Sequence, residues 1–338
     1  MIDNRFYRFA PPVHLADLVE QTGAELVKGD LREQVHTVSA LSNIQAGVFS
    51  FARSMKSLPA IPPTGGVVIA AASDVIDQIR QWPIAVLRHA HPDFAFSSAA
   101  RKLIAERDFM TSIADHADFH ETVQLGAGVV IAPGVEIGKG TQIGPNATIG
   151  CGVHIGENCT IGPNVHLGFC DVGDHVKISP GVVIGGNGLG VATGDNELAD
   201  IPHFGSVEIG NNVTIGSNTT IDRGVFSATK IGNGTRIDNL VQIAHNVVIG
   251  ENCIFAAHVG ISGSVTIGNR VLMGGKVGIT DHRTIGDDAV IVACSATMRN
   301  VPANETWSGT PAQPLRQHMR EVAFLRKLLK DHQESKST

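Results

Sequence analysis

The sequence predicts a mainly β protein: a parallel β-helix of hexapeptide repeats, preceded by a small α/β domain and followed by an α-helix. Three observations carry this reading. Glycine makes up 38 of the 338 residues, about 11% against a usual share near 7%. Aromatic residues are scarce at 5% while hydrophobic residues reach 43%, so the core is narrow and aliphatic, and wholesale disorder is excluded. Above all, an aliphatic residue recurs every six positions through most of the chain.

Residues 1–96 lie outside that period. LADLVEQTG reads as a helix, and VHTVSAL, GVFSFA and GVVIAA read as short strands, together a small α/β domain. SSAARKLIAERD (Ser97–Asp108) reads as a helix capped by Ser97 or Ser98, opening a linker over 97–118. The repeat domain spans 119–310. Its period runs from Leu125 through Ile131, Ile137 and Ile143 to Leu167, slips by one to Val172, and continues to Ile184. It resumes at Ile209, breaks over Ser227–Lys230, and then runs unbroken from Ile231 to Ile291. The 25 hexads fit neither a helical period of about 3.6 nor a strand period of about 2. They fit triangular coils of three hexads each, roughly eight coils stacked about 4.8 Å apart. The aliphatic residue points inward, and the glycine after it suits a corner conformation that other residues resist. Pro311 and Pro314 punctuate the exit into a final segment, 311–338. There Leu315, Met319, Val322, Leu325 and Leu329 form a coiled-coil stripe suited to a three-helix bundle.

Composition excludes several function classes. A net charge of −6 and a pI near 6.2 argue against a nucleic-acid binder. No apolar run of about 18 residues is present, so no membrane span is expected. The N-terminus lacks a basic segment followed by an apolar run, so the expected location is the cytoplasm. Five cysteines with no CxxC spacing read as small buried hydrophobes.

Among 15 histidines, stacking selects. Residues one coil apart lie above one another, which puts Arg223, His245, Gly263 and Asp281 in one column. Asp222, Ala244, Ser262 and Thr280 form its neighbour on one side; Gly224, Asn246, Ser264 and His282 form the other. This face departs from the I-G pattern in each of its coils. His245 and His282, about 10 Å apart along the axis, leave room for a substrate group. A neutral histidine suits a general base near neutral pH, and the Gly263 N–H suits an oxyanion.

The repeat array, the segment TTIDRGVFSATKIGNGTRIDNLVQIAHNVVIGENC (Thr219–Cys253) and the exit SGTPAQP (Ser308–Pro314) resemble the UDP-3-O-(3-hydroxyacyl)glucosamine N-acyltransferases of lipid A biosynthesis. The resemblance implies a left-handed β-helix, a homotrimer with sites between subunits, and transfer of an (R)-3-hydroxyacyl group from acyl carrier protein to the glucosamine 2-amine. It implies His245 as general base, His282 at the thioester carbonyl and the Gly263 N–H at the oxyanion. Asn239, Gln242 and Asn246 are implied as binders of donor or UDP-sugar lipid acceptor, with work near the inner membrane. Neither a metal nor another cofactor is expected, because the phosphopantetheine arrives on the carrier protein and is expected near Met273, Lys276 and Ile279. The uracil segment of the family reads SFARSMKS here, keeping Phe51 and Lys56 but carrying Ser54 and Ser57 in place of Asn and Tyr; Phe51 would stack on the base. Arg299, Arg316 and Arg320 are implied as docking residues for an acidic carrier protein, residues 313–338 carrying a net charge of +3.

Three other readings of the repeats stand beside this one, the first a non-enzyme assembly subunit that binds partners without catalysis and would lose no activity on changing His245. A hexapeptide acyltransferase for another nucleotide-sugar acceptor is the alternative within the class. A zinc carbonic anhydrase needs converging histidines, including a pair five apart that these coils lack.

Overall fold

The computed structural model describes residues 2–107, 118–309 and 315–336. Three parallel sheets of nine, ten and nine strands form the walls of a β-helix. Most of the strands are two residues long, and each pairs with the strand one coil above, as Ile143 does with Ile161. The slip before Val172 shortens one coil to 17 residues, yet Ile155 still pairs with Val172. The sheets include three strands that the aliphatic period does not mark: Asp118–Phe119, Ala296–Thr297 and Thr306–Trp307. Their inward residues Phe119, Thr297 and Trp307 are not aliphatic, so the pattern passed over them.

The inward isoleucines form a dry ladder, with Ile149, Ile155, Ile243 and Ile285 all fully buried. Burying one such side chain is worth about 1.5–3 kcal/mol. A second inward ladder stands two residues earlier in each hexad, at Val135, Thr141, Ala147, Val153 and Cys159. Cys159 and Cys253 are slot-fillers there, as the sequence predicts for cysteines, and burial raises both thiols above their usual range. Cys294 differs: it sits exposed at a corner with φ of 62°.

The glycine after each isoleucine has a different reason from the one expected. Apart from Gly185, with φ of 87°, these glycines do not take positive φ. A Cβ on Gly138 would lie 2.6 Å from the carbonyl carbon of Gly156, and one on Gly216 would lie 2.4 Å from that of Asp238. The next coil passes too close for a side chain. The left-handed position comes two residues later, where Asn146, Asn158, Asn218 and Asn252 have φ between 55° and 58°. Asparagine is among the few residues that accept this region.

The N-terminal domain is a five-stranded sheet ordered Glu25–Lys28, Ala85–Arg88, Val67–Ala70, Val48–Ala52, Thr37–Val38. Helices α1 (Leu15–Thr22) and α2 (Ser73–Ile79) accompany it. Helix α3 spans Pro92–Leu103, starting earlier than the serines suggest. Pro92 fills the first turn, where no N–H is needed. Ser97 is buried in mid-helix and its hydroxyl donates to the Asp93 carbonyl. The remainder of the expected linker, 108–117, lies outside the described residues, as do Pro311 and Pro314.

The domain is tied to the coils. Tyr7–Phe9 pairs antiparallel with Ile104–Glu106. The Tyr7 hydroxyl reaches the carbonyls of His203 and Gly205, at 3.1 Å each, and Arg5 pairs with Asp171 at 2.7 Å. The insertion after Ile184 folds as a hairpin, Val191–Thr193 against Leu198–Asp200. It contacts α3. Helix α4 (Leu315–Lys336) ends the chain, with Met319, Leu325 and Leu329 exposed. No described helix is long and apolar enough to cross a membrane.

The corner rule is testable at Asn252. Valine there should destabilise the fold by about 1–2 kcal/mol, whereas glycine should leave the thermal midpoint close to wild type; equal midpoints for both variants would refute the left-handed constraint.

Candidate active site

The expected stacking holds for the inward row: Ile221, Ile243, Ile261 and Ile279 pair in register. The residues that follow them, Asp222, Ala244, Ser262 and Thr280, therefore form one row. His245, Gly263 and Asp281 form the next. Between this face and the insertion lies a cleft of about 930 Å³, lined by His245, Gly263, His282, Gln242, Asp222 and Phe51, among others. Leu189, Val191 and Ile201 of the insertion form its opposite wall.

Arg223 departs from the expected column. It is 3% exposed, donates to the carbonyls of His203 at 2.9 Å and Gly185 at 2.8 Å, and pairs with Glu106. Its guanidinium lies 3.9 Å over the Phe169 ring. The chain bulges where Gly186 pairs with Asp222, and the arginine turns into the domain junction, leaving Asp222 on the cleft.

His245 is held on several sides. Its Nδ1 lies 3.1 Å from Asn246 Oδ1. That oxygen also accepts the Val225 N–H at 3.0 Å, while the Asn246 Nδ2 donates to Ser227 Oγ at 2.9 Å. The amide orientation is thus assigned by its partners, which makes Nδ1 of His245 the donor and leaves the Nε2 lone pair free. Nε2 lies against Gly263: a Cβ added there would stand 2.7 Å from both Nε2 and Cε1. Among the described residues the Gly263 N–H has no hydrogen-bond acceptor, while its carbonyl accepts the His282 N–H at 3.1 Å. His282 itself is an exposed corner residue with φ of 55°.

Burial raises the Asp222 carboxyl to about 6, opposed by His245, by the Gln242 hydrogen bond and by Arg223. Gln242 Nε2 donates to Asp222 Oδ2 at 2.9 Å. Above Gln242 the outward positions of the same sheet are Gly260, Gly278 and Ala296. They leave a smooth groove along the cleft, which hexad counting centred on the inward residues missed.

The other expected site residues are placed as follows. Phe51 is on the cleft, but its ring packs against Phe96 at 4.7 Å and under Arg53 at 5.4 Å. Asn246 stands behind the base, supporting it. Asn239 sits at a corner away from the cleft, bonded to Asp238 and accepting the Ser217 N–H at 2.7 Å. Lys56 lies in the short turn Met55–Ser57, also away from the cleft, beside Ser54 and Ser57, which bond to each other. Met273 is 1% exposed in the core, so it cannot face a pantetheine arm. Arg299 and Arg320 are exposed; the Arg316 side chain lies outside the described residues.

The chain is similar to known hexapeptide-repeat proteins. The family model "Bacterial transferase hexapeptide (six repeats)" matches residues 116–151, 152–186 and 228–263. The model "Hexapeptide repeat of succinyl-transferase" matches residues 206–239. A UDP-3-O-acylglucosamine N-acyltransferase of a Caulobacter species is 41% identical over 332 residues, covering 96% of each chain. The protein of that name from Maricaulis maris is 43% identical, covering 97% of each. A solved UDP-N-acetylglucosamine O-acyltransferase from Moraxella catarrhalis is 26% identical, covering 63% of this chain and 78% of its own, with a TM-score of 0.37. Near-full-length identity at this level, on a hexapeptide β-helix with a histidine-lined cleft, places the chain in the UDP-3-O-acylglucosamine N-acyltransferase family.

Proposed function

We propose that this N-acyltransferase moves an (R)-3-hydroxyacyl group from acyl carrier protein to the 2-amine of UDP-3-O-(3-hydroxyacyl)glucosamine. The observation that carries the mechanism is the His245 imidazole, its Nδ1 tied to Asn246 and its Nε2 free over Gly263. The amine nitrogen attacks the thioester carbonyl and forms the C–N bond while His245 Nε2 takes the proton. The Gly263 N–H receives the oxyanion, and His282, whose own N–H bonds the Gly263 carbonyl, assists at the thioester carbonyl. Collapse breaks the C–S bond, and the proton passes from His245 to the leaving pantetheine thiolate. No metal or nucleophilic side chain is required by this sequence of steps.

The groove of Gly260, Gly278 and Ala296 suits an acyl chain, and Gln242 and Asp222 suit the polar sugar end. Phe51, with Lys56 nearby in sequence, is the uracil side; Asn239 would reach a ligand only from a neighbouring subunit. Two features support a homotrimer with clefts completed between copies. Ile254 and Leu272, 51% and 42% exposed, stack on the outer face of one sheet, and α4 presents its own exposed apolar residues. Arg299, Arg316 and Arg320 would meet the acidic carrier protein. The site of action is the cytoplasm, next to the inner leaflet that holds the acceptor's acyl chain.

Three measurements test this. Purified protein should transfer 3-hydroxyacyl groups from the carrier protein to the UDP-sugar acceptor, and His245→Ala should lose about 10²–10⁴ of that rate; an equally active variant sinks the base assignment. Gly263→Ala should cost at least about 10² in rate with an unchanged melting temperature, since the new methyl displaces the imidazole. In Gly278→Leu, the introduced Cβ meets only Ala296 Cβ, at 3.9 Å, so the fold should hold. Competition between donors of different lengths should then shift toward shorter acyl chains, and an unchanged preference would move the acyl chain elsewhere.

A further inference from the structure

Resting on that reading of His245, we infer that His203 is a positioning residue for it: from the insertion, it holds the base's ring against Gly263. His203 is 1% exposed and its ring meets that of His245 edge to face, with centroids 5.1 Å apart and planes at 71°. Its Nδ1 lies 2.9 Å from the Ile201 carbonyl, which fixes the Nδ1–H tautomer. Among the described residues its Nε2 is buried without a hydrogen-bond partner, which leaves the ring contact with His245 as what faces that edge of the imidazole.

Gly188, from the same insertion, closes the arrangement. A Cβ there would stand 2.8 Å from His245 Cδ2 and 2.9 Å from His203 Nε2, so only glycine lets the two rings meet. The His203 backbone is itself anchored, its carbonyl accepting from Tyr7 Oη and from Arg223 Nε. The base is therefore packed, through His203, against the junction with the N-terminal domain.

The charged groups around His203 are Arg223 paired with Glu106, Arg101 and Asp200 in the adjoining cavity, and Asp222 and His245 on the cleft. Burial is the largest influence on His203 and the charge on His245 the next; together they bring it down to about 4. When His245 takes the proton during turnover, its neighbour is neutral, and an aromatic ring beside an imidazolium is favourable rather than repulsive.

The test compares His203→Ala with His203→Phe in the acyl-transfer assay. Alanine should lower kcat at least tenfold with KM for both substrates within twofold, and phenylalanine, which keeps the ring contact, should return kcat to within threefold of wild type. A kcat within twofold of wild type for alanine, or equal impairment of both variants, overturns the proposal. The wild-type control reads the transferase activity itself, so failure of that reading is seen separately. Histidine-selective NMR of the unmodified protein needs no variant and no turnover. His203 should stay neutral and Nδ1-protonated from pH 5 to pH 8, with a contact to the His245 ring, and titration within that range overturns the proposal.

Discussion

The spacing of successive coils, about 4.8 Å, is the constraint on which the rest of this molecule depends. It is set by backbone pairing in all three sheets, and at many of the corners after an inward isoleucine it leaves no room between coils for a side chain. Glycine at Gly138, Gly144 or Gly232 is demanded by the backbone above it. Where the corner residue changes to Asp222, Ala244, Ser262 or Thr280, the coil opens one face to side-chain chemistry. Functional residues in such a fold form columns, because register is the same at every level. His245, Gly263 and Asp281 are neighbours for the reason that Ile243, Ile261 and Ile279 are.

The columns supply one wall of the cleft, and the interruptions of the repeat supply the other. The loop over Val225–Ser227 fixes the Asn246 amide and through it the tautomer of His245. The insertion after Ile184 brings Leu189, Val191 and His203 over the same histidine. Arg223 joins this insertion to the N-terminal domain through Gly185, His203 and Glu106. A buried guanidinium is costly without such partners, and this one meets three hydrogen-bond acceptors and an aromatic face. Repeats build the rigid frame of the base; irregular segments determine its protonation geometry.

Legibility in the sequence followed the same division. The hexad period located the inward ladder, the coil stacking and the face that departs from it, because a strictly repeated register turns sequence separation into spatial position. It passed over the strands centred on Phe119, Thr297 and Trp307, whose inward residues break the aliphatic code while keeping the backbone path. It placed the corner conformation on the wrong residue, since close approach of a neighbouring coil and positive φ both call for glycine and look alike in one dimension. The cleft positions Gly260 and Gly278 read as ordinary repeat residues, yet their outward direction is what opens the groove.

What the sequence alone determined is therefore the periodic part: the β-helix, its inward core, and the shared face of His245, Gly263 and His282. Tertiary structure decided the rest. Arg223 left its column because a bulge at Gly186 and Asp222 turned it toward Glu106. Asn239 and Lys56 stand apart from the cleft, and His203 stands against the base although it lies 42 positions before His245 in the chain. Periodicity fixes position only where backbone pairing repeats; across an insertion or a domain junction, side-chain packing and buried charge choose the neighbours, and no spacing in the chain encodes them.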